Sequence, residues 1–399
     1  MDFYRHLFAQ RGNVSTITFT LVYLLSIIFT FQVLVTAYSS STYMEQFVEK
    51  WQVGLLYSVG AGIAIILSLI LPRFLRRVGN VVSCLLLFFS INVALIFMGL
   101  ALNTTLTVMA FIAYLALTPQ IYLNIDIFLE TLIGDNEETT GSKRGLILTL
   151  MSLAAFASPL AMGHIIGEEN DLSAVYYVGA SVGLLFISLI VARFRHFQDP
   201  DYKTVLVRDM FRETAKDTDI KTIMYGQFLL QVFYTWAIVY IPNYLNTVVG
   251  FDWLTISQII AFALFAFVLF EYPIGLIADR YLGEKEMLAT GFVILACTVA
   301  CMSFMADFSI TSWMILMFIS RIGASLVEVT TESYFFKKVD GDEPSIIGLF
   351  RLMRPLANLG GALIGSIAIF FLPYNFIYLV LALIMASGVF FTTFLTDTK

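Results

Sequence analysis

Eight charged side chains lie inside stretches of sequence that are otherwise almost wholly apolar. Asp126, Glu130, Glu271, Glu328 and Glu332 are acids; Arg321, Arg351 and Arg354 are bases. A charge held in such a stretch is expensive, so it ordinarily faces a cavity or an opposite charge. With a rise of ~1.5 Å per residue, Glu332 and Arg351 fall roughly 8–9 Å from the same end of two consecutive antiparallel helices, and Glu328 and Arg354 roughly 13–14 Å. Opposite charges at matched depth predict the pairs Glu332–Arg351 and Glu328–Arg354. Three arginines cannot serve five carboxylates, so two acids are left over. A carboxylate without a partner in a low-dielectric site is suited to carrying a proton. Asp126 or Glu271 is therefore the expected proton-coupling acid, with Glu130 one turn from Asp126. Glu271 lies ~12 Å in from Asp279 along its helix, beside Pro273, which frees a backbone carbonyl.

The elements that must position these charges follow from composition. Hydrophobic residues make up 59% of the 399 residues and charged residues 13%, about half the charged share of a soluble domain. No soluble core hides that much apolar surface, so the chain is expected to be an all-α integral membrane protein. A spanning helix needs about 20 mostly apolar residues. Twelve such helices are predicted near 15–38, 50–71, 79–100, 105–132, 145–167, 173–194, 220–246, 254–278, 286–307, 311–336, 345–370 and 374–395, numbered here as spans 1 to 12. Alternate loops carry the Lys and Arg: Arg5 and Arg11, Arg73, Arg76 and Arg77, Lys143 and Arg144, the stretch from Arg193 to Lys221, Arg280 and Lys285, Lys337 and Lys338. The opposite loops hold only Lys50, among Glu45, Glu49, Glu168, Glu169 and Asp171. By the positive-inside rule both termini are cytoplasmic. The N-terminal segment is too polar for a secretory signal, and span 1 reads as uncleaved.

The chain divides into a first six-span half over 1–194, a cytoplasmic linker over 195–219 and a second half over 220–399. The halves echo one another as parallel repeats. "LPRFLRRVG" after span 2 answers "ADRYLGEK" after span 8, and "DIFLETLIGDNEETTGSKRG" from Asp126 answers "EVTTESYFFKKVDGDEPSIIG" from Glu328. Each of the latter pair has acids at i and i+4. Where the second half has Arg351 and Arg354, the first has Leu148 and Met151. Parallel repeats with a site between them near the bilayer midplane are a secondary-transporter plan.

Gly275, Asp279, Arg280 and Gly283, with Lys285 nearby, resemble the G-x-x-x-D-R loop signature of the major facilitator superfamily. The layout of 6 + 6 helices with a basic central loop resembles that family over nearly the whole chain. The first-half copy departs from the signature, with Ser68 for the Gly and Pro72 for the Asp, while Arg73, Arg76 and Arg77 keep its basic part. The resemblance implies that spans 5 and 8 are neighbours between the halves. Asp279 would then latch the cytoplasmic side against the N-terminus of span 5 at about Gly145, where unpaired N–H groups carry partial positive charge beside Lys143 and Arg144. Arg280, Glu328, Arg354, Glu332 and Arg351 complete the expected gating set.

The resemblance further implies that spans 1, 4, 7 and 10 line a central cavity. Arg321, Gln32, Gln120, Asn124 and Gln231 are the expected substrate contacts, the Arg meeting an anionic or strongly polar group. On span 4, Gln120 and Asn124 share one face, while Tyr122, Asp126 and Glu130 share nearly the opposite one. Three histidines and three cysteines make no metal cluster, and neither a Walker-type nor an HExxH or GxSxG motif occurs. The expected function is secondary active transport of a small polar or anionic solute across the cell membrane, by alternating access and driven by a proton gradient. The expected protein is no enzyme and needs no cofactor beyond an ion gradient. It binds no nucleic acid and acts as a monomer in the lipid bilayer. The alternatives are a proton-driven efflux antiporter for amphiphilic drugs and a non-transporting membrane sensor or scaffold.

Overall fold

The computed structural model describes residues 12–133, 137–195, 197–200, 212, 214, 217–280, 283–339 and 344–396. Among them, twelve helices are long and apolar enough to cross a membrane. Spans 1 to 6 are Gly12–Ala37, Lys50–Val78, Asn80–Leu100, Thr104–Ile133, Glu137–Ile166 and Ala174–Arg193. Span 7 runs Thr218–Val239 and resumes as Ile241–Thr247; spans 8 to 11 are Trp253–Arg280, Glu284–Met302, Ile310–Lys338 and Pro344–Phe371. Span 12 begins with a 3-10 turn, Tyr374–Phe376, and continues as Ile377–Thr392. The break in span 7 has a local cause: Pro242 stands near the start of the second piece and supplies no N–H to continue the ladder. The Tyr240 carbonyl at the break accepts hydrogen bonds from Tyr374 Oη at 3.0 Å and Tyr378 Oη at 3.3 Å.

Span 5 begins at Glu137, not near Gly145 as expected from its hydropathy. The backbone N–H groups around Gly145 lie inside a continuous helix and are not those of an open first turn. The helix-end attraction expected for Asp279 at Gly145 is therefore missing. The side chains of Lys143, Arg144, Asp279 and Arg280 lie outside the described residues, so the expected latch does too.

Span 2 packs against span 11 and span 5 against span 8, joining the two halves. At the first contact Ser58 Oγ donates to the Leu359 carbonyl at 2.9 Å, and Ser366 Oγ donates to the Trp51 carbonyl. Gly54 is required there, because a Cβ on it would come within 2.6 Å of the Ala362 carbonyl. At the second, Phe156 and Phe265 lie 6.1 Å apart between ring centroids. The outward surface carries exposed Leu, Ile and Phe on most spans, among them Phe89, Leu184, Phe265 and Leu383. That surface suits lipid, as the composition requires.

The two ends of the molecule are built differently. At the acidic end a short helix, Ser40–Met44, meets the second piece of span 7. Thr42 Oγ1 donates to Asn243 Oδ1 at 3.2 Å, and Asn243 Nδ2 donates to Glu45. Lys50 donates to Thr247 Oγ1 at 3.1 Å, lies 3.9 Å from Glu45 and sits 4.4 Å from the Tyr374 ring centroid. At the basic end the ties of the second half are internal: Lys337 to Glu284, Lys338 to Asp219 at 2.9 Å, and Lys285 Nζ to the Leu395 carbonyl at 3.0 Å.

Candidate functional site

Between the halves lies a cavity of about 440 Å³ lined by residues of spans 1, 2, 4, 5, 7, 8, 10 and 11. The expected lining by spans 1, 4, 7 and 10 is observed, with four further spans. The first half contributes mainly an aromatic wall: Tyr38, Tyr57, Phe111, Tyr114 and Tyr122. The second half contributes the charges, namely Arg321, Glu271, Glu328 and Arg354, with Gln231 and Asn358.

Arg321 is 3% exposed and faces this cavity. Its guanidinium lies 4.9 Å from the Phe233 ring centroid, and Nη1 donates to Ser320 Oγ at 3.3 Å. Arg321 makes no ion pair within 4.0 Å among the described residues. An arginine has five N–H donors, so most of its hydrogen-bonding capacity remains for something entering the cavity. One hundred degrees per residue returns a helix to nearly the same face after seven. Glu328 accordingly points into the same cavity, ~10 Å farther along span 10. Its Oε2 accepts a hydrogen bond from Tyr234 Oη at 2.6 Å.

The predicted rungs Glu332–Arg351 and Glu328–Arg354 do not form. Arg354 Nε donates instead to Gln231 Oε1 at 3.1 Å, while its charge acts on Glu328 and Glu332 from beyond ion-pair distance. Arg351 reaches across to the first half, where Nη1 stands 3.9 Å from Asp126 Oδ2. Matched depth on two helices is thus insufficient. Span 11 turns Arg351 toward span 4, whose acid was expected to lack an arginine. Glu271 lines the cavity and faces the charges of Glu328 and Glu332. Glu130, Glu332, Asp126, Arg351 and Arg354 are all exposed and form a charged path toward the basic end.

Three expected substrate contacts lie elsewhere. Gln32 is fully buried inside the first half, where Nε2 donates to the Gly179 carbonyl at 3.0 Å and lies 3.4 Å from Asn92 Oδ1. Gln120 Nε2 donates to the Ala64 carbonyl at 3.0 Å and to Ser68 Oγ at 3.1 Å. Asn124 and Asn80 bond reciprocally: Asn124 Nδ2 donates to Asn80 Oδ1 at 2.9 Å, and Asn80 Nδ2 to the Asn124 carbonyl at 3.0 Å. A buried amide in a span lowers its energy by bonding to the next helix, and these three do so. On span 4 the cavity face is the other one, carrying Phe111, Thr118 and Tyr122 at helical spacing. The tyrosines of that face were the signal for the wall. Arg321 and Gln231, of the five expected contacts, do line the cavity.

Comparison with known proteins places this arrangement. The crystal structure of the nucleoside transporter NupG superposes with a TM-score of 0.72 at 12% identity, covering 94% of this chain and 98% of that one. A mutant form of NupG gives 0.73 at 12% identity, covering 94% and 99%. No curated protein sequence matches significantly. The sequence profile of the Major Facilitator Superfamily matches residues 136–358, more than half of the chain. Twelve spans, a cavity between two six-span halves and that match together make this chain a multi-pass membrane protein belonging to the Major Facilitator Superfamily.

Proposed function

We propose that the protein is a proton-coupled secondary transporter of a small polar solute in the cell membrane, with Arg321 and Gln231 as solute contacts and Glu271 as the acid that exchanges the proton. The observation that carries this reading is one cavity holding a buried guanidinium, without an ion pair among the described residues, and the carboxylates of Glu271 and Glu328. Solute and proton then share a compartment, which coupling requires. Orientation by the positive-inside rule makes the basic end cytoplasmic. With the acidic end stitched shut and exposed charges leading toward the basic end, the conformation described is inward-facing. Alternating access follows if the Glu45–Lys50–Asn243–Thr247 stitches break as basic-end contacts such as Asp126–Arg351 tighten. The carrier works as a monomer, each chain enclosing its own cavity.

The test is transport by the purified protein in liposomes under an imposed pH gradient, with internal pH followed by a trapped dye. Flux of solute accompanied by proton movement supports the reading. Glu271→Gln is expected to stop the response to the gradient while solute exchange at equal pH continues. Gradient-independent flux in the unaltered protein would overturn the coupling, and binding without any flux would point to a sensor. The aromatic wall favours one second reading, efflux of amphiphiles by the same cavity. Stabilisation by lipophilic cations, unaffected by Arg321→Gln, would select it.

A further inference from the structure

The charges of the cavity are segregated. Arg321 stands at one pole, buried and without an ion pair among the described residues, with the hydroxyl groups of Tyr38 and Tyr234 in its field. The other pole holds Glu271, Glu328 and Arg354 on the cavity wall, with Glu332 one turn past Glu328 on span 10. Three carboxylates against one guanidinium leave an excess of two negative charges when all are ionised. Arg354 is already committed, since its Nε bonds to Gln231 at 3.1 Å and its charge acts on Glu328 and Glu332. Arg321 is not committed in this way. Arg321 and Glu328 lie seven residues apart on one helix, so their backbones are ~10 Å apart along a common face. The wall around them is largely apolar, with Val33, Leu34, Ile238, Leu264 and Phe267.

We propose that the solute is a zwitterion with an apolar body, its carboxylate on Arg321 and its ammonium on Glu328. This rests on the transporter reading and narrows its substrate class. Neither pole alone accounts for the arrangement. An anion without a cationic end would fill the Arg321 pole and leave the acids facing its tail. A cation without an anionic end would leave the buried guanidinium without a counter-charge, which a low-dielectric site disfavours. A zwitterion satisfies both, and its two charges reach the poles only if its body spans the distance between them.

The experiment measures thermal stabilisation of the full-length protein in lipid nanodiscs by ω-amino acids of increasing chain length, from glycine upward. Each is paired with its N-acetyl derivative, which removes the cation, and its amide, which removes the anion. The expected result is a stabilisation maximum at an intermediate chain length, with at least tenfold weaker apparent affinity for both derivatives. Arg321→Gln should abolish the preference for acid over amide, and Glu328→Gln the preference for amine over N-acetyl. The comparison among compounds on the unaltered protein stands even if a variant fails to fold. Equal stabilisation by the N-acetyl series or by the amide series overturns the proposal, as does a response without a length maximum. Absence of stabilisation by every member overturns it as well. In that case gradient-driven flux of any other solute would leave the transporter reading standing. Conversely, zwitterion binding without proton movement would retain the substrate class and remove the coupling.

Discussion

Polar side chains serve opposite purposes in the two halves of this molecule. In the first half, Gln32, Asn80, Asn92, Gln120 and Asn124 are buried and bond among spans 1, 2, 3, 4 and 6. In the second half, Arg321, Glu271, Glu328 and Arg354 turn into the central cavity. The first half meets them with tyrosine and phenylalanine rings. One repeat thus presents an aromatic wall held by internal amide bonds, and the other the charges that face the cavity. A neutral amide can donate to a carbonyl on an adjacent helix and carries no charge to neutralise, even where its oxygen is buried unbonded among the described residues, as Gln32 Oε1 and Asn124 Oδ1 are. A guanidinium with five donors, or a carboxylate among like charges, requires water, a counter-charge or a ligand. That difference in demand sorts glue from site.

The contrast can be broken most sharply at Arg321. Arg321→Gln is expected to weaken solute binding by roughly 10- to 100-fold, the loss typical of a hydrogen bond to a charged group. The melting temperature should change little. Equilibrium binding and thermal unfolding on the same sample check this, and a large loss of stability with intact binding would assign Arg321 to the fold. Asn124→Leu should show the reverse pattern. It removes the bond from Asn124 Nδ2 to Asn80 Oδ1 and leaves that oxygen buried without its partner, while Asn80 Nδ2 keeps the backbone carbonyl of residue 124, costing roughly 1 kcal/mol of stability. Solute affinity should stay unaltered, as chemical-denaturant unfolding and binding would report. If Asn124→Leu lowers affinity as much as Arg321→Gln does, the division between halves fails.

Two smaller effects sharpen the comparison at the ends. The Arg351–Asp126 contact crosses the halves at 3.9 Å with both side chains 54% exposed, where an ion pair contributes less than about 1 kcal/mol. Arg351→Gln should therefore leave stability nearly unaltered while increasing access from the basic end. Faster alkylation of a cysteine introduced as Ser152→Cys on the cavity wall would detect it; slower alkylation would contradict it. At the acidic end, burial raises the Glu45 carboxyl above its ordinary value of 4.5, against smaller opposing contributions from Asn243 and Lys50. A carboxyl raised in the stitched state binds its proton more tightly there. The stitch is therefore favoured at low pH and weakens as pH rises from 4.5 through the raised value. Glu45→Gln should flatten that slope in melting temperature against pH, the smallest effect of the four. An unchanged slope would assign the pH dependence to another group.

Much of the architecture was legible because membrane insertion acts on composition and length. All twelve spans were predictable from runs of about 20 apolar residues, since lipid cannot hydrogen-bond exposed backbone. Loop charges indicated two distinct ends for a similar reason: Lys and Arg are sorted by topology, not by packing. The start of span 5 was misjudged because 137–145 is polar yet helical, and hydropathy registers the bilayer, not the helix. The span-4 amides were misassigned because an amide in a helix looks the same whether its partner is a solute or the next helix. The repeat pattern sets each acid against the arginines of its own half, so the Arg351–Asp126 contact across the halves leaves no mark in it.

By itself the sequence determined the class of molecule: an all-helical membrane protein of two related halves, with charges in its interior that are too costly to be idle. Those properties follow from local energies, the transfer of apolar residues into lipid and the expense of charge there, which act on each segment separately. Only the tertiary structure decided which polar residues meet. It turned Gln32, Gln120 and Asn124 inward to neighbouring helices, joined Arg351 to Asp126 across the halves, and left Arg321 facing a cavity without an ion pair among the described residues. The physical reason is rotational. Each helix presents several faces of comparable polarity, and packing against specific neighbours selects which face meets the cavity.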